Sequence, residues 1–167
     1  MNDGLSRALE LHRTAAEDLL RAAEAVPESR WRNPVQEGKW SAAELLEHLN
    51  NTYDVLLSEL SGGAGMKIRT ALWQRVILRL TIVPRIMKKG IFPENAPAPK
   101  EIRPVNAPDR EPAITAFRER AERLEASAKS AAPKQKVTHA YFGSSSVANG
   151  VTLCARHIQH HTVQLRK

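Results

Sequence analysis

Half of the six histidines in this 167-residue chain lie close together near its C-terminal end, in the stretch ARHIQHHTVQL. His157 and His161 are four residues apart, so on a helix their side chains share one face, about one turn apart. Two imidazoles at that spacing can converge on one metal ion. The pattern H-x-x-x-H alone is a weak signal, because histidines that are hydrogen-bonded in a core or exposed at the surface show the same spacing.

A third ligand must come from elsewhere in the chain, and His48 is the candidate that the sequence favours. It lies in the middle of a predicted helix, three residues after Leu45, at the edge of the apolar face of that helix. Three histidines on two facing helices would leave coordination positions open for water or a substrate, which is typical of a catalytic metal site. A metal held there would lower the pKa of bound water or activate a thiol.

Three further polar residues are candidates for supporting roles. His160 lies about 100° around the helix from His161 and can replace either His157 or His161 as a ligand. Gln164, one turn beyond, can hydrogen-bond a ligand imidazole or the substrate, and an exposed position is an equally fair interpretation. His12 lies on the apolar face of the first helix, where it is a ligand, a partner of a ligand or, most simply, a core histidine.

Other reactive residue types are expected to have structural roles. Cys154 lies three residues before His157 and is interpreted as a small buried apolar residue, with a reactive thiol as the alternative. As the single cysteine it excludes an internal disulfide and a cysteine-rich zinc module. Glu44, one turn before His48, is assigned to a helix cap rather than to the second N–H of that histidine. His139 is expected to be structural, near a turn.

The elements that position these residues are predicted to be helices. A first amphipathic helix begins near Leu5 and stops before Pro27. Ser41 and Glu44 form an S-x-x-E capping box at the start of a second helix, which ends at Gly62–Gly63. Both ends of this second helix are therefore marked in the sequence.

A long proline-rich connection divides the later helices. A third helix is predicted over Lys67–Ile82, with Pro84 as its limit. Residues 91–112 hold six prolines and are expected to be extended and packed on the surface. A fourth helix is predicted to follow Asp109 and to end at Pro133.

The last helix is predicted to follow the segment HAYFGSSS, which we interpret as a turn or short loop. Ser144–Ser146 can cap it, and its apolar residues from Val147 to Leu165 recur three and four apart, with His161 on the same inward seam. No alternating strand pattern of useful length is present. We therefore expect an all-α protein, a single domain over residues 1–167 that forms an antiparallel helical bundle.

The net charge of +7 is concentrated in one segment. Residues 66–103 hold nine Lys and Arg against two acids, whereas the rest of the chain is balanced. Such a segment can attract phosphate, anionic lipid or an acidic partner, and a solvated face that aids solubility has the same composition. Arg75 and Arg79 alternate with apolar residues, a pattern that suits a helix on a membrane surface or an acidic partner. No nucleic-acid motif is recognised, so no sequence-specific nucleic-acid binding is expected.

The sequence also bears on where the protein acts. The stretch MNDGLSRALEL has no apolar core, so no secretory signal is expected there. The longest apolar stretch, near Val76–Val83, is interrupted by Arg79 and is too short to span a bilayer. We therefore expect a cytoplasmic protein without a transmembrane segment.

Two motifs together resemble the DinB superfamily of DinB/YfiT-like proteins. They are GKWSAAELLEHL and, far along the chain, RHIQHHTVQL, and the resemblance covers nearly the whole chain. The HAYFG segment is similar to the His-Pro-Phe-Phe-Gly segment of a DinB-like branch of unassigned function, with Ala140 in the place of proline. The resemblance implies an up-down-down-up four-helix bundle, often a homodimer. It also implies a divalent metal on His48, His157 and His161, and of the metals that suit three imidazoles we favour zinc or nickel.

Some members of this superfamily are thiol-dependent transferases or isomerases that use low-molecular-weight thiols such as mycothiol or bacillithiol. We therefore expect a metal-dependent enzyme with a three-histidine open site and a small-molecule substrate. It would be a thiol-dependent S-transferase, as the resemblance implies, or a hydrolase that uses metal-activated water. The alternative is a non-catalytic stress-response or binding protein that uses the basic segment, residues 66–103, to contact an anionic partner.

Overall fold

The computed structural model describes residues 3–93 and 97–167 of the chain, and this part is mostly helical. Glu94, Asn95 and Ala96, within the proline-rich connection, lie outside the described residues, as do residues 1–2. The elements in chain order are α1 (Asp3–Glu24), α2 (Glu28–Trp31), α3 (Ala42–Leu60), α4 (Leu72–Thr81), α5 (Val83–Lys89), a 3-10 turn (Lys100–Ile102), α6 (Arg110–Ser130), β1 (Lys136–His139), β2 (Gly143–Ser146) and α7 (Val147–Leu165). None of these described helices is long and apolar enough to cross a membrane.

Four long helices pack around the main core. Helix α1 lies along α7, α3 lies along α6, and α1 also contacts α6. Their apolar stripes meet because residues three and four apart share one face of a helix. The largest fully buried side chains there include Trp31, Tyr53 and Phe117. The two helices that carry the candidate histidines, α3 and α7, are therefore each held along their length by another long helix.

The predicted caps of α3 and α7 are confirmed. The Ser41 hydroxyl accepts the backbone N–H of Glu44 at 3.3 Å, and a carboxylate oxygen of Glu44 accepts the backbone N–H of Ser41 at 2.7 Å. At the start of α7 the Ser146 hydroxyl accepts the backbone N–H of Asn149. The carboxylate of Glu44 thus serves the cap, as the sequence indicated. Both caps fix where their helices begin and so where the histidines lie around the helix axis.

The prediction of a helix over Lys67–Ile82 is wrong for its first turn, because α4 begins only at Leu72. The backbone N–H of Arg69 donates to the carbonyl oxygen of Ala140 at 2.8 Å, so this segment pairs with the turn between β1 and β2 instead of with helical carbonyls. The predicted end of this helix is confirmed, because α4 ends at Thr81 with Ile82 as its C-cap. Pro84 lies in the first turn of the next helix, α5, where a missing N–H costs no helical hydrogen bond.

The expectation that HAYFGSSS is only a turn or short loop is also wrong. Strands β1 and β2 pair antiparallel, with Val137 opposite Ser145 and His139 opposite Gly143. Gly143 has φ +71°, a conformation that L side chains rarely adopt. Both strands are only four residues long and β2 is GSSS, so they carry little alternation, which is why the pattern was not visible in the sequence.

The hairpin is seated on α7 through a close contact between Val137 and Gly150. A Cβ atom added to Gly150 would overlap a methyl carbon of Val137. We expect Gly150→Ala to lower the free energy of unfolding by about 1–3 kcal/mol, because the added methyl group overpacks a buried contact. Urea unfolding measures the loss.

The matched test of that contact combines Gly150→Ala with Val137→Ala, which removes the clashing methyl group. The double variant is expected to lose less stability than the sum of the two single variants. Strict additivity would contradict this account of the contact.

Candidate metal centre

Three imidazoles converge where α3 faces α7. The Nε2 atom of His157 lies 3.0 Å from that of His48 and 3.0 Å from that of His161. One nitrogen from each ring lies within 4.8 Å of the others, so the three are placed where they can hold one metal ion. The rings of His48 and His157 meet edge to face at 89°, so the nitrogens meet without stacking of the two rings. The structure thus brings together the three histidines that the sequence singled out.

Hydrogen bonds at Nδ1 fix the tautomer of two of these rings. The Nδ1 atom of His48 lies 2.6 Å from the carbonyl oxygen of Ile102, and the Nδ1 atom of His161 lies 2.7 Å from the side-chain oxygen of Gln164. An oxygen acceptor requires a proton on Nδ1, so the inward Nε2 atom of each neutral ring carries a lone pair. The Nε2 atom of His157 carries at most one proton, so it can donate a hydrogen bond to only one of the two neighbouring lone pairs. A single cation would bind all three nitrogens. The donor set therefore fits a divalent metal.

Helix α3 also holds the loop that supplies the Ile102 carbonyl. The side-chain amide of Asn51 donates to the carbonyl oxygen of Arg103 at 3.3 Å. The carboxylate of Glu47 accepts the backbone N–H of Asn106 at 2.7 Å. Both residues flank His48 on the same helix, and the side chain of Ile102 is itself buried. The proline-rich connection is thereby fixed against the centre.

Burial keeps the three imidazoles neutral. Removal from water lowers the pKa of His48 to about 4, against the hydrogen bond to the Ile102 carbonyl, which raises it. The same desolvation, reinforced by His48, lowers the pKa of His161 to about 3. The pKa of His157 lies well below its ordinary value, first through burial and then through the neighbouring imidazoles. Neutral imidazole is the form that binds a metal, so no proton need be displaced from the inward nitrogens of His48 and His161 at neutral pH.

Aromatic rings cover the centre. The half-buried indole ring of Trp40 lies 4.7 Å from the His48 ring and 6.4 Å from the His161 ring. Phe92, from the proline-rich connection, lies 5.6 Å from the ring of His157 and 5.1 Å from that of His160. These rings exclude water from the histidines and lower the local dielectric.

The centre opens into a cavity of about 380 Å³, a volume typical of small-molecule sites. All three histidines line it, and most of its wall is apolar and comes from α3, α4, α5, the proline-rich connection, α7 and the hairpin. Its apolar wall includes Leu56, Leu78, Ile82, Ile86, Phe142 and Leu153. The few polar side chains include Thr52, Glu59 and Thr138. A ligand in this cavity would be held mainly by apolar contact.

His139 lines this cavity, which the sequence did not indicate. Its Nδ1 atom accepts the backbone N–H of Tyr141 at 3.2 Å, so the proton of the neutral ring is on Nε2. Its ring stacks on Phe142 at a centroid distance of 4.4 Å, and burial lowers its pKa to about 4. The aromatic neighbours in HAYFG were the available signal, since aromatic residues next to a histidine are unusual in a solvent-exposed turn.

The other candidates lie outside the three-histidine cluster. His160 accepts from the side-chain amide of Gln164 at 3.2 Å, and that amide's oxygen supports His161, so Gln164 joins the two rings. His12 is fully buried in the core, where its Nε2 atom lies 2.8 Å from the hydroxyl of Tyr53. Cys154 is buried at the cavity wall, and burial raises the pKa of its thiol to about 12.

The protein combines a mostly helical fold with a three-histidine centre that could hold a metal ion. Comparison with known families agrees with this combination. A model of the DinB superfamily matches residues 10–165, nearly the whole chain. The chain belongs to the DinB superfamily. No curated protein and no solved structure matches it.

Acid is expected to destabilise the metal-free protein through its buried histidines. Burial lowers the pKa of His12 from 6.5 to about 4. Between these pH values His12 binds a proton in the unfolded chain but not in the folded chain. Stability is therefore lost as pH falls through this window, by about 3 kcal/mol at pH 4 for this one group. His12→Gln keeps a polar partner for Tyr53 but cannot be protonated.

Urea unfolding of chelator-treated protein at a series of pH values measures this effect. The stability of His12→Gln is expected to fall less steeply with decreasing pH than that of the unaltered protein, whatever its stability at pH 7. Identical pH slopes for the two proteins would show that His12 does not carry the effect.

Proposed function

We propose that this member of the DinB superfamily is a divalent-metal-dependent enzyme in which His48, His157 and His161 hold zinc or nickel. The observation that carries the proposal is the convergence of three Nε2 atoms, from two buried histidines and the half-buried His157, with too few protons to pair them. Three protein ligands are typical of a catalytic site, because they leave a position for water or substrate. The adjoining cavity is the space in which that substrate would bind.

We propose further that the reaction is a thiol-dependent S-transfer or a hydrolysis. A bound metal would supply an electrophile that stabilises a thiolate or lowers the pKa of a water molecule. The pKa of Cys154, raised to about 12, leaves almost no thiolate at neutral pH, which supports a thiol that comes from a low-molecular-weight cofactor rather than from the chain.

The chain's own residues have separable parts in this proposal. The Ile102 carbonyl and Gln164 orient His48 and His161, and the apolar cavity binds the apolar part of a small substrate. His139 donates a hydrogen bond from its Nε2–H to a polar atom of that substrate. The contact that supports this role is the acceptance of the Tyr141 N–H at Nδ1, which keeps the donor proton on the other nitrogen.

The finer architecture is also a proposal. The packing of α1 along α7 and of α3 along α6 supports an up-down-down-up four-helix bundle with a proline-rich connection, in one domain over residues 1–167. A homodimer, which rests on the family resemblance, and a cytoplasmic location, which rests on the sequence itself, stay predictions.

Metal analysis of tag-free protein by plasma mass spectrometry tests the ligand set. We expect one divalent ion per chain, lost in His48→Ala and in His161→Ala because two imidazoles hold a metal far more weakly than three. His160→Ala is the matched control, since His160 lies beside the centre but outside the cluster.

Two outcomes of the metal analysis would count against the proposal. Loss of the metal in His160→Ala with retention in His157→Ala would assign His160 as the ligand. Absence of metal after incubation with zinc and with nickel would overturn the enzyme proposal and leave the non-catalytic alternative, in which the basic segment contacts an anionic partner.

Gln164 is expected to tune the metal affinity through His161. Gln164→Ala removes the acceptor of the His161 Nδ1–H, and we expect the metal to bind about 10- to 100-fold more weakly. Gln164→Glu keeps an oxygen acceptor and is expected to restore the affinity. Competition with a chromogenic chelator measures both values, and equal affinity in Gln164→Ala and the unaltered protein would show that the hydrogen bond does not matter.

A further inference from the structure

Helix α4 exposes an apolar face that nothing in the described structure covers. Every residue of this helix is at least partly exposed. Leu72, Trp73 and Leu80 are 71%, 64% and 74% exposed, and Val76 and Ile77 between them are about half exposed. At about 100° per residue these five side chains share one sector of the helix. A contiguous exposed apolar patch of this kind marks an interaction site.

The opposite side of α4 is already occupied, so the apolar face cannot turn inward. Leu78 lines the cavity. The guanidinium of Arg79 donates to the carbonyl oxygens of Phe142 at 2.7 Å and of Ser144 at 2.6 Å. These contacts tie α4 to the hairpin and hold its apolar face towards solvent.

Uncompensated positive charge flanks this face. Lys67 precedes α4, and Arg85, Lys88 and Lys89 follow it on α5, all exposed. Within residues 3–93 and 97–167, no carboxylate pairs with these four side chains. Glu101, the acid of the basic segment that the structure describes, is already paired with Arg69 at 3.0 Å.

We propose that α4 and the cations of α5 bind the surface of an anionic phospholipid bilayer. Trp73 and Leu80 insert at the boundary between headgroups and acyl chains, and the cations contact lipid phosphates. Short basic amphipathic helices with a tryptophan on the apolar face bind membranes in this way. The charge favours lipid over a second copy of the chain, because a symmetric contact through α4 would bring two basic segments together.

The proposal is independent of the metal, and co-sedimentation of the full chain with vesicles tests it. We expect binding to vesicles of phosphatidylcholine and phosphatidylglycerol in equal amounts, and much weaker binding to phosphatidylcholine alone. Binding to the mixed vesicles is expected to weaken as salt is raised, since surface charges are screened.

Substitutions on α4 separate insertion from simple charge attraction. Leu80→Asp and Trp73→Asp are each expected to reduce the vesicle-bound fraction about tenfold, because a carboxylate resists both the acyl region and the anionic surface. Val105→Asp is the matched control, since Val105 is even more exposed, at 83%, and lies outside the basic segment. Circular dichroism and metal content are expected to be unchanged in all three variants.

A charge-reversed pair tests the cations. Lys88→Glu with Lys89→Glu is expected to abolish the preference for anionic vesicles. Lys134→Glu with Lys136→Glu makes the same change of charge at exposed lysines outside the basic segment and is expected to bind normally.

Three results would overturn the proposal. The first is no binding of the unaltered protein to anionic vesicles at low salt. The second is equal binding by Leu80→Asp, Trp73→Asp and the unaltered protein, which would leave charge alone as the cause. The third is a dimer in analytical ultracentrifugation that Leu80→Asp dissociates, without vesicle binding, which would assign the face to a second copy. Vesicle binding by His48→Ala separates a failure here from a failure of the metal proposal.

Discussion

Three imidazole nitrogens face one another across α3 and α7 with at most one proton among them, and the surrounding structure is organised around that arrangement. Lone pairs that face one another without donors are costly, so the arrangement persists only because the surrounding structure holds it in place. The Ile102 carbonyl and the Gln164 amide hold two of the rings by their other nitrogens. Burial adds a second effect, since desolvation disfavours the imidazolium form and keeps the lone pairs available. The protonation state of the three imidazoles is thus set by the groups that surround them as much as by the rings themselves.

The elements outside the long helices enclose a cavity next to this centre. The proline-rich connection brings Phe92 and Ile102 against the histidines, and the hairpin brings His139 to the wall of the cavity. Helix α4 completes the wall with Leu78, and Arg79 fastens that helix to the hairpin. The same short helix therefore has two different faces. Its inner face lines the cavity, and its outer, apolar face is exposed to solvent.

Much of this could be predicted from the sequence where the cause is local. The capping box at Ser41 and the seam of α7 fixed two helices, and with them the facing positions of His48 and His161, because caps and helical periodicity depend on residues a few positions apart. The start of α4 and the hairpin could not be predicted, because both depend on contacts between segments far apart in sequence, such as that of Arg69 with Ala140. The role of His139 at the cavity wall was hidden for the same reason, since it follows from where the hairpin is seated.

The hydrogen bond that orients His48 has a further consequence for how this protein can vary. Its acceptor is the main-chain oxygen of Ile102, and every amino acid provides that oxygen. Replacement of the side chain at this position leaves the acceptor in place as long as the loop keeps its path. The constraint on this part of the centre thus falls on the shape of a loop rather than on the identity of a residue. The amino-acid sequence of the connection can therefore vary while the imidazole of His48 keeps its orientation.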